Sequence, residues 1–136
     1  MKKIITVIVC SISFLVLSAC VSKKKLILPE PESISVISLQ KKLSEDIKTI
    51  NKREEISKLI EEIQKQSKST SLESVNDQPT NVKDYIIIKF YHQNEENDSV
   101  AYLYTKKEKQ YIEQPYVGIW QVSPDIANRI EEIFPS

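Results

Sequence analysis

Between residues 85 and 114 the chain alternates in a way that leaves few folds open. Tyr85-Ile86-Ile87-Ile88-Lys89-Phe90-Tyr91-His92, then 99–105, then 110–114 are three runs rich in tyrosine and branched residues, separated by a polar loop (93–98) and a turn (106–109). A period of two marks strands with one buried face, and such short connections make neighbouring strands antiparallel. If the first loop closes evenly, Tyr91 falls near Val100 and Lys89 near Tyr102. The second turn pairs Thr105 with Gln110 and Leu103 with Ile112, and without a glycine it reads as a four-residue loop on a type I turn. Paired residues share a face. One face then collects Ile86, Ile88, Phe90, Ala101, Leu103 and Ile112. The other collects Tyr85, Ile87, Lys89, Tyr91, Tyr102, Tyr104, Tyr111 and Glu113. A slip of one residue would mix the two sets.

Two helices supply apolar stripes for the first face. Over 51–66, Ile56, Leu59, Ile60 and Ile63 recur at helical spacing, and Asn51 with Glu54 has the pattern of a capping box. Ser123-Pro124-Asp125 opens a second helix, with serine as cap and proline in the first turn. Ile126, Ile130, Ile133 and Phe134 form its stripe. Residues 33–40 read as a strand whose apolar phase changes between Ile34/Val36 and Ile37/Leu39, which implies either a bulge or burial on both faces. Shorter strands are expected over 46–50 and 116–122, with Gly118 allowing a change of direction after Pro115. The polar stretch 67–84 reads as a covering loop pinned by Leu72, Val75 and Val82. The fold expected is α+β: an antiparallel sheet of about four to five strands with two helices packed on one face.

The other end of the chain is of a different kind. Met1-Lys2-Lys3 precedes an apolar run, 4–17, that ends in Leu17-Ser18-Ala19-Cys20. A membrane span needs roughly 20 apolar residues; a basic start, a shorter apolar core and small residues before a cut are a secretory signal peptide. Leu-Ser-Ala-Cys resembles the lipobox of bacterial lipoproteins. The resemblance implies cleavage before Cys20, a diacylglycerol on its sulfur with palmitate among the acyl chains, and a chain held on the extracytoplasmic face of the cell membrane. Two acyl chains anchor stably where one is marginal. The organisation expected is a signal peptide (1–19), lipidated Cys20 with a tether (20–32), and one domain (33–136). Lys23-Lys24-Lys25 would lie close to the lipid head groups.

Composition excludes much chemistry. The chain has two cysteines; Cys10 falls in the signal peptide and Cys20 would carry lipid, which leaves no thiol for a disulfide, a thiolate metal site or a nucleophile. A single glycine, Gly118, rules out a glycine-rich phosphate loop. After residue 19 there are 17 basic and 19 acidic side chains, a balance that argues against nucleic acid as a partner. His92 is the lone histidine, too few for a histidine-rich zinc site, and it reads as a polar residue at a strand end. Glu95, Glu96 and Asp98 crowd one loop without the spacing or glycine of a calcium loop. No cofactor, metal site or catalytic constellation is expected.

The tyrosine face remains. Tyrosine favours strands for structural reasons, and it also offers rigid contact area with a polar tip. Tyr85, Tyr91, Tyr102, Tyr104 and Tyr111 are the candidate contacts, with a second candidate groove at Tyr116 and Trp120 beside the long loop. Tyr111-Ile112-Glu113-Gln114-Pro115-Tyr116-Val117-Gly118-Ile119-Trp120, together with Asp84-Tyr85-Ile86, Ser74-Val75-Asn76-Asp77 and Leu28-Pro29-Glu30-Pro31, resembles a family of small single-domain lipoproteins of Gram-positive bacteria. That resemblance implies one compact anchored domain and brings no catalytic residues. The function expected is a non-enzymatic binding or interaction module facing a cell-wall polymer or a protein. The alternatives are an immunity or inhibitor lipoprotein that captures a toxin or enzyme at the cell surface and, lower, a cell-wall hydrolase.

Overall fold

The computed structural model describes residues 24–94 and 96–135. Residues 1–19, read above as a signal peptide, Cys20 and Glu95 lie outside the described residues. A short 3-10 turn (Pro31–Ser33) leads into β1 (Ile34–Lys41), β2 (Ile47–Ile50), α1 (Arg53–Lys65), β3 (Ser67–Ser69), β4 (Ile86–His92), β5 (Asp98–Lys106), β6 (Lys109–Gln114), β7 (Gly118–Val122) and α2 (Pro124–Glu132). The fold is α+β. Seven strands form one antiparallel sheet in the order β2-β1-β4-β5-β6-β7-β3, against an expectation of four to five.

The extra strands are short edges. β3 is Ser-Lys-Ser, which carries no apolar alternation. It pairs with β7 (Ser67↔Val122, Ser69↔Trp120) because α1 delivers it there, and the Ser123 amide donates to the Gln66 carbonyl at 3.1 Å to hold the junction. The phase change in β1 is a register irregularity between Ile34 and Val36, and it lets Ile34 join Ile37 and Leu39 in the core.

Both apolar stripes pack on the predicted sheet face. Ile56, Leu59, Ile60 and Ile63 of α1 and Ile126, Ile130 and Phe134 at α2 share one core cluster with Ile86, Ile88, Phe90, Ala101, Leu103 and Ile112. Burying each such side chain contributes roughly 1.5–3 kcal/mol. Glu62 and Arg129 form an ion pair between the two helices, and Lys41 reaches Glu131 at 2.8 Å. The Ser123 hydroxyl accepts from the Ile126 amide, as a cap should. Asn51 does not cap α1. The helix begins one residue later than its pattern implies, with Lys52 at the cap position and no side-chain cap bond. Glu54 and Glu55 in the first turn complement the helix dipole instead.

Two turns differ from expectation in instructive ways. The β4–β5 register is two residues off: Tyr91 faces Asp98, Lys89 faces Val100 and Ile87 faces Tyr102. An even shift preserves the faces, so the sorting into core and tyrosine sets survives. The β5–β6 register is as expected, Thr105 with Gln110 and Leu103 with Ile112. Its turn is tighter, however. Lys106 pairs with Lys109, and the two central residues, Lys107 (φ 50°) and Glu108 (φ 65°), are both left-handed. That is the type I′ geometry that matches strand twist, built without its usual Asn-Gly.

The domain also begins earlier than residue 33. Leu26 and Leu28 are core residues, Leu26 only 1% exposed. The stretch 24–30, expected as a tether, is laid against the sheet. The Trp120 indole Nε1 donates to the Lys24 carbonyl at 2.8 Å, Lys24 Nζ to the Val117 carbonyl at 2.6 Å, and the Gln114 amide to the Ile27 carbonyl at 3.0 Å. Among the described residues no helix is long and apolar enough to cross a membrane.

Candidate functional site

The sheet face away from the helices is where the tyrosines gather, and residues 70–84 roof part of it. Polar contacts hold the roof in place. Leu72 and Val75, expected as apolar pins, are exposed; Ser74 and Pro79 are the buried residues of the segment. Ser74 is the hub. Its hydroxyl donates to Glu113 Oε1 at 2.6 Å and accepts from the Tyr116 amide at 3.3 Å. It thereby ties the roof to β6 and to the β6–β7 turn at once. Tyr116 adds a bond from its hydroxyl to Asp77 Oδ1 at 2.8 Å, and Tyr85 one to Gln78 Oε1 at 2.8 Å.

Glu113 is 5% exposed. A buried carboxylate is costly unless hydrogen-bonded, and this one accepts from two hydroxyls, Ser74 on Oε1 and Tyr104 on Oε2 at 3.1 Å. Burial, with the Glu113 carboxylate beside it and accepting its hydrogen bond, pushes the Tyr104 phenol far above the ordinary tyrosine value. Burial, with Tyr85 as neighbour, also raises Tyr102. The hydrogen bond to Asp77 raises Tyr116.

The structure divides the candidate tyrosines. Tyr85 and Tyr104 are buried. Tyr85 meets Tyr102 edge-on, ring centroids 5.2 Å apart, and carries the Lys42 ammonium 4.8 Å above its ring. Tyr104 lies 5.8 Å from the half-buried Tyr111. Tyr91 is exposed at the far end of β4, apart from the others. Tyr116 and Trp120 differ in burial. Trp120 is in the core on the helix side, whereas Tyr116 sits exposed on the turn with φ 61°. The positive φ expected at Gly118 falls on Tyr116, in a Gln114-Pro115-Tyr116-Val117 turn closed by the Val117 amide on the Gln114 carbonyl at 3.0 Å. Gly118 is needed for room, since a Cβ there would meet the Trp120 ring at 2.9 Å.

Between roof and sheet lies a cleft of 340 Å³. Tyr104, Tyr111, Glu113 and Ile119 form its floor, Leu72 and Val75 its roof, and Lys106 and Lys107 one end. An aromatic wall, a carboxylate acceptor and ammonium groups at the rim suit a small polyhydroxylated or mixed-charge ligand. A second concavity of 430 Å³ runs between residues 70–75 and the β6–β7 turn, with Lys24 at its side. Tyr116 and Trp120 both border it. His92 lies elsewhere, its Nε2 2.9 Å from the Ser99 hydroxyl at the base of the β4–β5 hairpin. Among the described residues no group of three His, Cys, Asp or Glu side chains is placed to hold a metal ion.

A family model described as a domain of unknown function (DUF5300) matches residues 22–121. The chain belongs to this DUF5301 family. The match starts ahead of Lys24, so it takes in the stretch that carries Leu26 and Leu28. Among solved structures the chain is similar to a protein from Ruminococcus gnavus determined by NMR, with 25% identity and a TM-score of 0.61, over 76% of this chain and 99% of that one. No curated protein matches the chain. Within this DUF5301 domain, Ser74 and Asp77 on one side and Glu113 and Tyr116 on the other are joined by hydrogen bonds. Serine and glutamate were legible only as members of a polar stretch and a strand. What would have singled out Glu113 is a carboxylate at a strand position flanked by tyrosines on the same face.

Proposed function

We propose that the chain is a lipid-anchored, extracytoplasmic binding module, without enzymatic activity, whose cleft takes a segment of cell-wall polymer. The observation that supports this most is the floor of the cleft. Tyr111 offers a ring face on a rigid strand, and Glu113 sits beside it as an acceptor already oriented by Ser74 and Tyr104. A sugar ring stacks on an aromatic face and donates hydroxyls to a fixed carboxylate, and Lys106 and Lys107 suit the anionic substituents of wall polymers. The lipid anchor rests on the Leu17-Ser18-Ala19-Cys20 run and the basic, apolar stretch before it.

The test is an NMR titration of the isotope-labelled protein with soluble wall-glycan fragments. Amide shifts centred on Val75, Tyr111, Glu113 and Ile119, with affinity about tenfold lower in Tyr111→Ser, are expected. Saturating glycan that moves no amide in the cleft overturns the ligand. Loss of capture of a surface protein on Tyr91→Ser, with glycan inert, would transfer the function to the alternative, an immunity or inhibitor lipoprotein.

A further inference from the structure

We propose that the end of the domain built around the β6–β7 turn lies directly on the lipid surface, with Tyr116 and Val117 at head-group depth. This rests on the lipid-anchor reading of Cys20 and adds an orientation to it. Among the described residues eight large hydrophobic side chains are exposed, and five of them, Ile27, Leu72, Val75, Tyr116 and Val117, gather at this end. Leu72, Val75, Tyr116 and Val117 line one concavity with Lys24, and Gln114 on the same turn holds the Ile27 carbonyl. Ile27 is 73% and Tyr116 65% exposed, so the patch covers nothing within the domain.

The anchoring geometry says what would cover it. Lys24 is fixed to the turn by two hydrogen bonds, one through its carbonyl to Trp120 and one through its ammonium to Val117. Cys20 is four residues earlier in the sequence. Four residues reach at most about 14 Å, and the polar zone of one leaflet is roughly 5–8 Å thick. A diacylglycerol on Cys20 therefore leaves no slack for the domain to drift away, and the turn beside Lys24 meets the head groups. The side chains there suit that zone. Tyrosine is favoured at membrane interfaces, and Lys24 and Lys25 attract anionic lipid at about 1 kcal/mol each. Glu73 is the acid lining that concavity and Asp77 is engaged by the Tyr116 hydroxyl, while Glu96 and Asp98 belong to the β4–β5 hairpin, further along the same end of the sheet. Lys106 and Lys107 belong to the turn at the opposite end of β6, so that end of the cleft faces away from the lipid.

The experiment uses the full chain, processed and acylated in a bacterial host, then reconstituted in phosphatidylglycerol–phosphatidylethanolamine vesicles. Nitroxide probes are placed by Val117→Cys and, separately, by Leu43→Cys on the β1–β2 turn, four strand positions from β7. Collision with oxygen and with a water-soluble nickel complex is measured at each, and the mass of the N-terminal peptide reports acylation of Cys20. The expected result is acylated Cys20, several-fold lower nickel collision at 117 than at 43, and higher oxygen collision at 117. Acylated Cys20 with equal aqueous exposure at both positions overturns the docking and spares the anchor. Unmodified Cys20 overturns the anchor and the docking with it. A third probe, Ile27→Cys, guards against a local disturbance of the turn and is expected to follow 117.

Discussion

Tyr104 shows how a residue chosen as a contact becomes part of the support. Its ring is in the sheet and its hydroxyl is spent on Glu113, so what it offers a ligand is the position of the carboxylate. The raised phenol has a defined consequence for pH. A group whose native pKa exceeds its unfolded value contributes stability that is complete below the unfolded value, near 10 for tyrosine, and is lost as pH rises towards the native one. An ultraviolet titration of the phenols should show a late phase of ionisation coinciding with unfolding. Tyr104→Phe should shrink that late phase, to which the raised Tyr102 and Tyr116 also contribute, and flatten the alkaline loss of stability. At neutral pH it should cost about 1–3 kcal/mol, because Glu113 stays buried and loses a donor. An unchanged late phase in Tyr104→Phe would contradict the assignment. Gly118 makes the complementary point about space. Gly118→Ala should destabilise by about 1–3 kcal/mol in thermal melts, since the indole it would strike is pinned by Lys24 and cannot yield.

At the scale of elements, the β5–β6 hairpin carries a local cost that the sheet overrides. Lys107 and Glu108 both hold a conformation that favours Asn or Gly. Replacing the pair by Lys107→Asn with Glu108→Gly should stabilise the domain by about 1 kcal/mol and raise its melting temperature by roughly 4–8 °C. The elements legible in the sequence were those with a strong period. β4, β5, β6 and both helices rest on alternation or on a four-residue stripe, and the sorting of Ile86, Ile88 and Phe90 from Tyr85 and Tyr91 follows from that alone. What was not legible had no period of its own. β3 is polar and exists because β7 has a free edge beside the end of α1. The β4–β5 register depends on how many loop residues enter the strand, and alternation is indifferent to a shift of two.

For the molecule as a whole, the boundary of the domain changes the meaning of the N-terminal stretch. Lys24 and Lys25 with Pro29 and Pro31 read as a tether because charge and proline dominate the composition. The structure counts only Leu26 and Leu28, whose spacing of two places both side chains in the core, while Ile27 between them points out. Polarity averaged over a short window hides such a pair. The roof over the tyrosine face was hidden for a related reason. Ser74 and Asp77 act through hydrogen bonds to residues 39 positions away, and no local pattern announces a partner so far off. The proposal that this chain is a closely docked module depends on an N-terminal stretch that is part of the core. The most direct check is the thermal unfolding of Leu26→Ala beside Leu72→Ala, an exposed control. Loss of about 2–5 kcal/mol for Leu26→Ala with an unchanged control is the predicted result. Equal melting of both variants and the parent would mean that the stretch is a tether after all.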